Sequence, residues 1–252
     1  MFLEPQGDLR RAPVTMVLMA LCVTIETALT ISGMLSPVGD LGLRTAAYND
    51  FKMGIWLQMW RGEYWRPFTT TLLHANFLHM AFNVHCLWTF GPAIESWLGS
   101  FRFAGLVVLL AYVSSLAEFT LWPLLGPWLT LDPPDLQGLV GFSGVDFGLF
   151  GFCWMAREHR SECSQACPDA IVQWMMAWFL ILILLSAVKL MAFANIAHGA
   201  GLGLGLLLGM ATVERDRRAI PWIVASTVVS LVFLSTMFYC PWHPLWRWVA
   251  HR

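Results

Sequence analysis

The residues that could perform chemistry in this chain are a serine and a histidine, each with glycines nearby. Gly141, Ser143 and Gly144 form the pattern G-x-S-G, which exposes the backbone around a hydroxyl group and lets another helix approach closely. His198 lies in the segment A-H-G-A-G-L-G-L-G. A serine hydroxyl is a weak nucleophile until a base removes its proton, and a histidine within hydrogen-bond reach is the usual base. Ser143 and His198 are therefore a candidate nucleophile and base for acyl transfer.

A second group of polar residues could supply hydrogen-bond donors. His74, His79 and Asn83 form the pattern H-x4-H-x3-N, and the four-residue spacing of His79 and Asn83 places both on one face of a helix. Together with the backbone N–H of Ser143, these side chains could stabilise the oxyanion of a tetrahedral intermediate. A structural alternative applies to all of these residues. In membranes, His and Asn hydrogen-bond between helices, and small residues are common where helices meet.

Long apolar stretches must position these residues. Of the 252 residues, 58% are hydrophobic and 12% are charged, whereas soluble domains contain about 25% charged residues. A helix needs roughly 20 apolar residues to cross a membrane, and the apolar stretches predict seven spans, at 14–35, 71–94, 103–125, 139–156, 171–194, 195–213 and 220–240. Segments 36–70, rich in aromatic residues, and 122–140, rich in proline, are expected at the membrane interface.

The net charge of -1 and the lack of a basic run argue against a nucleic-acid partner.

The arginines near the predicted helix ends indicate which side of the membrane each loop faces. Short cytoplasmic loops carry an excess of Lys and Arg. With a cytoplasmic N-terminus, the inner side would hold Arg10, Arg11, Arg102, Arg157, Arg160, Arg215, Arg217 and Arg218. In this orientation the second, fourth and sixth spans begin on the outer side. Ser143, His198 and the pair of His79 and Asn83 would then lie at similar depth near the outer surface, where they could form one site.

These motifs, in this order, resemble those of the rhomboid family of intramembrane serine proteases. Ser143 in G-F-S-G is similar to the family's nucleophile, and His198 is similar to its general base. His79 and Asn83 match its oxyanion residues. The remaining matches are Gly141 and Gly144 beside the serine, Gly201 and Gly205 as helix-packing glycines, Trp65 and Arg66 of the first-loop motif Y-W-R, and Glu95 at the inner end of the second span.

Two residues of the fourth predicted span depart from the family pattern. Phe147 stands where many bacterial members have a tyrosine that stacks on the catalytic histidine. The aromatic ring is kept and the hydroxyl is lost, so we expect activity to survive. Asp146 is an acid inside a predicted span, where an ionisable group is costly and implies a buried partner or a water-filled cavity. The sequence shows no acidic third member for the pair of Ser143 and His198.

The resemblance implies an all-α membrane protein with a rhomboid-like six-helix transmembrane core over residues 1–213. Residues 214–252 would form an inner loop, a seventh transmembrane helix and a short outer tail. It further implies a serine endopeptidase that uses no cofactor or metal and cuts transmembrane protein substrates in the lipid bilayer, in or next to their membrane span. We expect the protein in the bacterial inner membrane, with its active site open to the non-cytoplasmic side.

Several alternatives stay open at this point. A rhomboid-like pseudoprotease would bind or escort transmembrane clients without cutting them, although such proteins typically lack the serine or the histidine. Lys189 could act as the base of a Ser–Lys pair, or could extend its charge to the interface. His159, Cys163 and Cys167 could place three metal ligands on one helical face, but the missing fourth ligand favours a solvated loop. The lack of H-E-x-x-H and of a second intramembrane aspartate excludes metalloproteases and aspartyl proteases.

Overall fold

The secondary structure of the described residues is entirely helical. The computed structural model describes residues 9–31, 59–60, 62–129, 141–191 and 193–242. Within these ranges lie seven helices of at least 14 residues: α1 (Pro13–Ile31), α2 (Phe77–Leu98), α3 (Ser100–Leu129), α4 (Ser143–Ala156), α5 (Asp169–Ala187), α6 (Asn195–Val213) and α7 (Ile220–Ser235). Shorter helical segments are Leu9–Arg11, Arg66–Thr69, Thr70–Leu72, Ser161–Ala166 and Asp216–Arg218. The all-α membrane fold class predicted from the sequence is confirmed.

Five of the described helices are long and apolar enough to cross a membrane. They are α1, α3 over Ser100–Leu125, α5, α6, and α7 extended back to Asp216. The sequence predicts seven spans. The two that differ are α2 and α4, which are not long and apolar enough to cross a membrane by this measure. α4 has 14 residues, about 21 Å of helix at 1.5 Å per residue, and α2 includes polar residues such as Asn83 and Glu95. Many side chains of both helices are buried, so protein rather than lipid covers much of their surface.

The structure changes some of the predicted boundaries. α3 continues through Pro123 and Pro127 to Leu129, where the sequence predicts that the helix gives way to an interfacial segment. Membrane helices tolerate proline because nearby groups can satisfy the freed backbone. α5 ends at Ala187 rather than near 194, since the chain turns at Lys189, whose φ is 62°. Most of the interfacial segment 36–70, including Trp56, lies outside the described residues.

Helices α4 and α6 pack backbone against backbone. A Cβ atom added to Gly201 would lie 2.0 Å from the carbonyl oxygen of Gly144, and one added to Gly205 would lie 2.0 Å from that of Gly148. The backbone of α4 approaches α6 so closely that only glycine fits at positions 201 and 205. This contact joins the helix that begins at the candidate nucleophile to the helix that bears the candidate base.

Glu95, near the C-terminal end of α2, fastens the start of α1. Its carboxylate is fully buried and accepts hydrogen bonds from the backbone N–H groups of Val14 at 2.9 Å and Thr15 at 2.8 Å, and from the hydroxyl of Ser100 at 2.7 Å. The first N–H groups of a helix have no partner within it, and an acceptor there also interacts favourably with the helix dipole. Glu95 of α2 therefore caps α1.

The end of the seventh helix packs against the segment that precedes α2. Past its end, the carbonyl of Thr236 accepts a hydrogen bond of 3.1 Å from the indole N–H of Trp60, and the rings of Phe238 and Tyr64 lie 5.4 Å apart. The indole of Trp242 donates to the carbonyl of Thr120 in α3 at 3.1 Å. These contacts join the C-terminal region to the first loop and to α3.

Candidate active site

Ser143 is the first residue of α4 and follows a sharp turn at Gly141. The φ of Gly141 is +116°, a conformation that residues with a side chain rarely adopt. A Cβ atom there would also lie 2.6 Å from Cε1 of His79 and 3.1 Å from Nδ2 of Asn83. Glycine at this position therefore brings the backbone just before the serine against two side chains of α2.

The hydroxyl of Ser143 meets the imidazole of His198. The distance between Ser143 Oγ and His198 Nε2 is 2.7 Å, although the two residues are 55 positions apart in the chain. His198 is 3% exposed, and its Nδ1 has no hydrogen-bond partner among the described residues. With the ring proton on Nδ1, Nε2 is free to accept the serine proton, as a general base must.

The ring of Phe147 restrains this imidazole. Phe147 lies one turn after Ser143 on α4, and its ring centroid is 5.0 Å from that of His198 at an interplanar angle of 37°. Its other neighbour is Phe179 of α5, with centroids 5.3 Å apart. The aromatic contact expected at this position is therefore made without a tyrosine hydroxyl.

His79 is oriented by the start of α2. The side chain of Asn76 accepts a hydrogen bond of 2.9 Å from the backbone N–H of His79 and so caps the helix. The backbone N–H of Ala75 donates to Nδ1 of His79 at 3.4 Å. Because Nδ1 accepts, the neutral ring carries its proton on Nε2, the nitrogen that faces Gly141. The ring of His74, itself 1% exposed, packs edge-on at 5.3 Å.

The side-chain amide of Asn83 also faces the turn at Gly141. Its side chain is 1% exposed, and neither its oxygen nor its nitrogen has a hydrogen-bond partner within the part of the chain that the structure describes. A buried amide without a partner is costly. The Nδ2 group faces the backbone turn at Gly141, so Asn83 and His79 both direct N–H groups toward the region beside Ser143.

A small cavity lies next to the serine. Its volume is about 10 Å³, close to the lower limit for one water molecule. The lining residues are Thr70, Thr71, Ser114, Ser115, Gly141, Ser143, Gly144, Ala194 and Ala197. The hydroxyls and backbone groups in this lining could hold a water molecule close to the serine.

The first-loop motif precedes the segment that lines this cavity. Trp65 is 56% exposed, and the guanidinium of Arg66 binds the carboxylate of Glu63, with 2.6 Å between Nε and Oε2. The one-turn helix that starts at Arg66 is held against α3 because the hydroxyl of Ser115 donates to the carbonyl of Pro67 at 3.0 Å. This segment leads directly into the threonines of the cavity.

Two other groups of predicted residues are arranged differently. Lys189, the alternative base, is exposed beyond the end of α5. The serine hydroxyl contacts His198 instead. His159 is also exposed, but Cys163 and Cys167 are buried and pack with Cys153 of α4. Within the described ranges, no three His, Cys, Asp or Glu side chains form a group that could hold a metal ion. The segment between α4 and α5 therefore folds around a cluster of three thiols, which the spacing of His159, Cys163 and Cys167 does not reveal.

Two buried acids lie close to the site. Glu118 of α3 accepts a hydrogen bond of 2.8 Å from the backbone N–H of Ala197, the residue before His198. No motif in the sequence marks Glu118 as a site residue, although a glutamate inside the third apolar stretch is itself a signal of a functional role. Asp146 is 2% exposed, and neither of its oxygens has a hydrogen-bond partner among the described residues. It lies near the thiols of Cys22 and Cys86.

A comparison with known protein families identifies the domain that contains these residues. A family model described as "Rhomboid domain" matches residues 61–215, which is more than half of the chain. The match includes α2 to α6 and all of the candidate catalytic and oxyanion residues.

Proposed function

This chain belongs to the rhomboid family, and we propose that it is an intramembrane serine endopeptidase that cuts transmembrane proteins in or next to their membrane span. The family contains intramembrane serine proteases and inactive members, and it acts on transmembrane substrates. The observation that carries the proposal is the 2.7 Å contact between Ser143 Oγ and His198 Nε2 in a partly buried setting. An inactive relative would have no need to keep this pair assembled.

Acylation follows from this geometry. His198 removes the proton of Ser143 as the serine oxygen attacks the carbonyl carbon of the scissile peptide bond. The carbonyl oxygen becomes an oxyanion, and the N–H groups of His79 and Asn83 that point toward Gly141 stabilise its charge. The imidazolium of His198 then gives its proton to the leaving nitrogen. The C–N bond breaks, and the serine carries the acyl group as an ester.

Hydrolysis of the ester completes the cycle and requires water in an apolar bundle. A water molecule held by the cavity next to Ser143 would lose a proton to His198 and attack the ester carbonyl. The same oxyanion donors would act again, and the proton on His198 would return to the serine oxygen as the acid product leaves. The cavity is lined by Ser114, Ser115, Thr70 and Thr71, whose hydroxyls can hydrogen-bond to such a water.

The substrate must expose its backbone to this site. A transmembrane helix satisfies all of its backbone groups internally, so a client helix has to unwind locally before its carbonyl can reach Ser143. Glycine and other poor helix formers reduce the cost of unwinding. We therefore expect small or helix-breaking residues near the cleaved bond.

The placement in the membrane is part of the same proposal. Several apolar helices and the rhomboid domain make this an integral membrane protein. The arginines of the predicted inner loops support an active site open to the non-cytoplasmic side, and we place the protein in the bacterial inner membrane. We divide the chain into a core over 1–213 and an appended region over 214–252, because α7 contributes no residue to the candidate site.

The test is cleavage of a model transmembrane substrate by purified wild type, Ser143→Ala and His198→Ala. We expect both variants to be inactive and the double variant to be no worse, because nucleophile and base act as one unit. A serine-directed fluorophosphonate probe should label the wild type and not Ser143→Ala. A folded wild type that neither cuts nor takes the probe would indicate a pseudoprotease, and substantial cleavage by either single variant would refute the serine–histidine mechanism.

A further inference from the structure

The helix that bears His198 begins without a cap of its own. The residue at its N-cap position is Ala194, which has no side-chain acceptor for the first N–H groups of α6. Unsatisfied N–H groups at a buried helix start are costly. Glu118 of α3 meets this need from outside, since its Oε2 accepts the N–H of Ala197 at 2.8 Å and the N–H of Ile196 also interacts with its carboxylate.

The contact is built into the protein interior. Glu118 is 9% exposed, so solvent cannot easily replace it as the acceptor. A second link holds the same helix start, because Nδ2 of Asn195 donates to the hydroxyl of Ser186 in α5 at 2.8 Å. Glu118 and Ser186 thus fasten the first turn of α6 between α3 and α5.

The position of His198 depends on this first turn. The backbone N–H of His198 makes an early helical bond of α6, to the carbonyl of Ala194 at 3.0 Å. The contacts of Gly201 and Gly205 set the distance between α4 and α6, but they leave the first turn, which precedes them, without a fixed end. If that turn frays or shifts along the helix axis, the imidazole moves relative to Ser143.

We infer that Glu118 is a positioning residue for the pair of Ser143 and His198 and that it acts through the backbone of α6. The inference rests on the proposed function. Glu118 touches neither the serine nor the imidazole; it caps the helix, and a carboxylate at a helix N-terminus also interacts favourably with the dipole. It takes the place in this site of the acid that orients the histidine in serine–histidine–acid triads, but it holds the helix instead of the ring.

The chain offers a matched control in Glu95. It is also a buried glutamate that accepts two backbone N–H groups at the start of a neighbouring helix, but that helix, α1, carries no residue of the candidate site. Replacing either glutamate by methionine keeps most of the side-chain volume and removes the acceptor. Glutamine keeps an acceptor oxygen and removes the negative charge.

The experiment compares Glu118→Met, Glu118→Gln, Glu95→Met and Glu95→Gln by kcat, KM and amide hydrogen exchange over residues 194–200. Because loss of a cap frays the first turn and a displacement of about 1 Å can cost about 100-fold in rate, we expect kcat of Glu118→Met to fall about 10- to 100-fold with KM changed less than about threefold. Exchange over 194–200 should rise in this variant. Glu118→Gln should restore both measurements to within about threefold of wild type.

The Glu95 variants separate positioning from general stability. Glu95→Met should lower the melting temperature, but at temperatures where it is folded its kcat and its exchange over 194–200 should match those of wild type. Should Glu118→Met fail to fold, Glu118→Asp, which withdraws the acceptor by one methylene, provides the same comparison in milder form. Unchanged kcat and exchange in a folded Glu118→Met variant would overturn the inference, and so would a Glu118→Gln variant that restores exchange but not kcat.

The proposed function and this inference can fail separately. A wild type that cuts no substrate refutes the protease assignment and with it the catalytic part of the inference. Hydrogen exchange still decides whether Glu118 holds the start of α6, because that measurement does not depend on activity. An active wild type in which Glu118→Met changes nothing refutes the inference alone.

Discussion

Substitution of Gly201 should inactivate the protein although it removes no chemical group. A Cβ atom at this position would lie 2.0 Å from the carbonyl oxygen of Gly144, whereas ordinary contact begins at 3.4 Å. Helices α4 and α6 must therefore separate locally by about 1.4 Å to accept an alanine, the difference between these two distances. The serine is next to Gly144 and the histidine is on α6, so most of this displacement appears between the two reacting groups.

The expected loss follows from that displacement. A misplacement of about 1 Å can cost roughly 100-fold in rate, so Gly201→Ala should lose about 100-fold in kcat, and Gly201→Leu should be inactive. Gly203 is the matched control on the same helix, because a Cβ there would meet nothing within 4 Å. Gly203→Ala should keep full activity and gain up to about 1 kcal/mol of stability, since alanine favours helix over glycine.

The assay is cleavage of a model transmembrane substrate, with thermal unfolding of each variant measured in the same detergent or bilayer. Gly201→Ala has to be compared at a temperature at which it is folded, so that a loss of rate is not a loss of protein. A folded Gly201→Ala variant with activity within about threefold of Gly203→Ala would refute the steric argument. In that case α4 and α6 would not meet at this glycine.

Three further predictions concern other parts of the molecule. His79→Ala and Asn83→Ala should each lower kcat by about 100- to 1,000-fold and change KM little, because an oxyanion donor acts on the transition state; unchanged turnover in both would leave these residues a purely structural role. Asp146→Val should raise the melting temperature, since a buried carboxyl without a partner among the described residues costs about 1–3 kcal/mol, and a lower melting temperature would mean that this acid has a favourable role. A reporter fused to the C-terminus should be found on the non-cytoplasmic side, and a cytoplasmic signal would contradict the proposed orientation or the number of spans.

The site could be predicted only as far as local patterns reach. The i, i+4 spacing of His79 and Asn83 places them on one helical face wherever that helix packs. The spacing of Gly201 and Gly205 likewise marks one face of α6, and small residues there predict close helix contact. The structure agrees with both patterns, since α4 lies against this face and Gly141 lies against the other pair.

The fold class followed from the sequence for a similar reason. Apolar stretches with few charges locate helices in a membrane because each such helix must satisfy its own backbone. That rule describes helices that face lipid, and it is less exact for α4, whose 14 residues are mostly enclosed by other helices. A helix surrounded by protein is not obliged to match the membrane thickness, so hydropathy predicted a longer span at 139–156 than the chain forms.

The candidate residues, their helical faces and their order along the chain can be predicted from the sequence, because these features depend on neighbours within a few positions. Which helical faces meet is visible only in the folded protein. Ser143 lies 2.7 Å from His198, 55 residues away in the chain, and Glu118 caps the helix of that histidine from 79 residues away. Cys153 of α4, rather than His159, packs with Cys163 and Cys167. Such contacts join residues far apart in the chain, and they depend on the packing of whole helices, which no local spacing encodes.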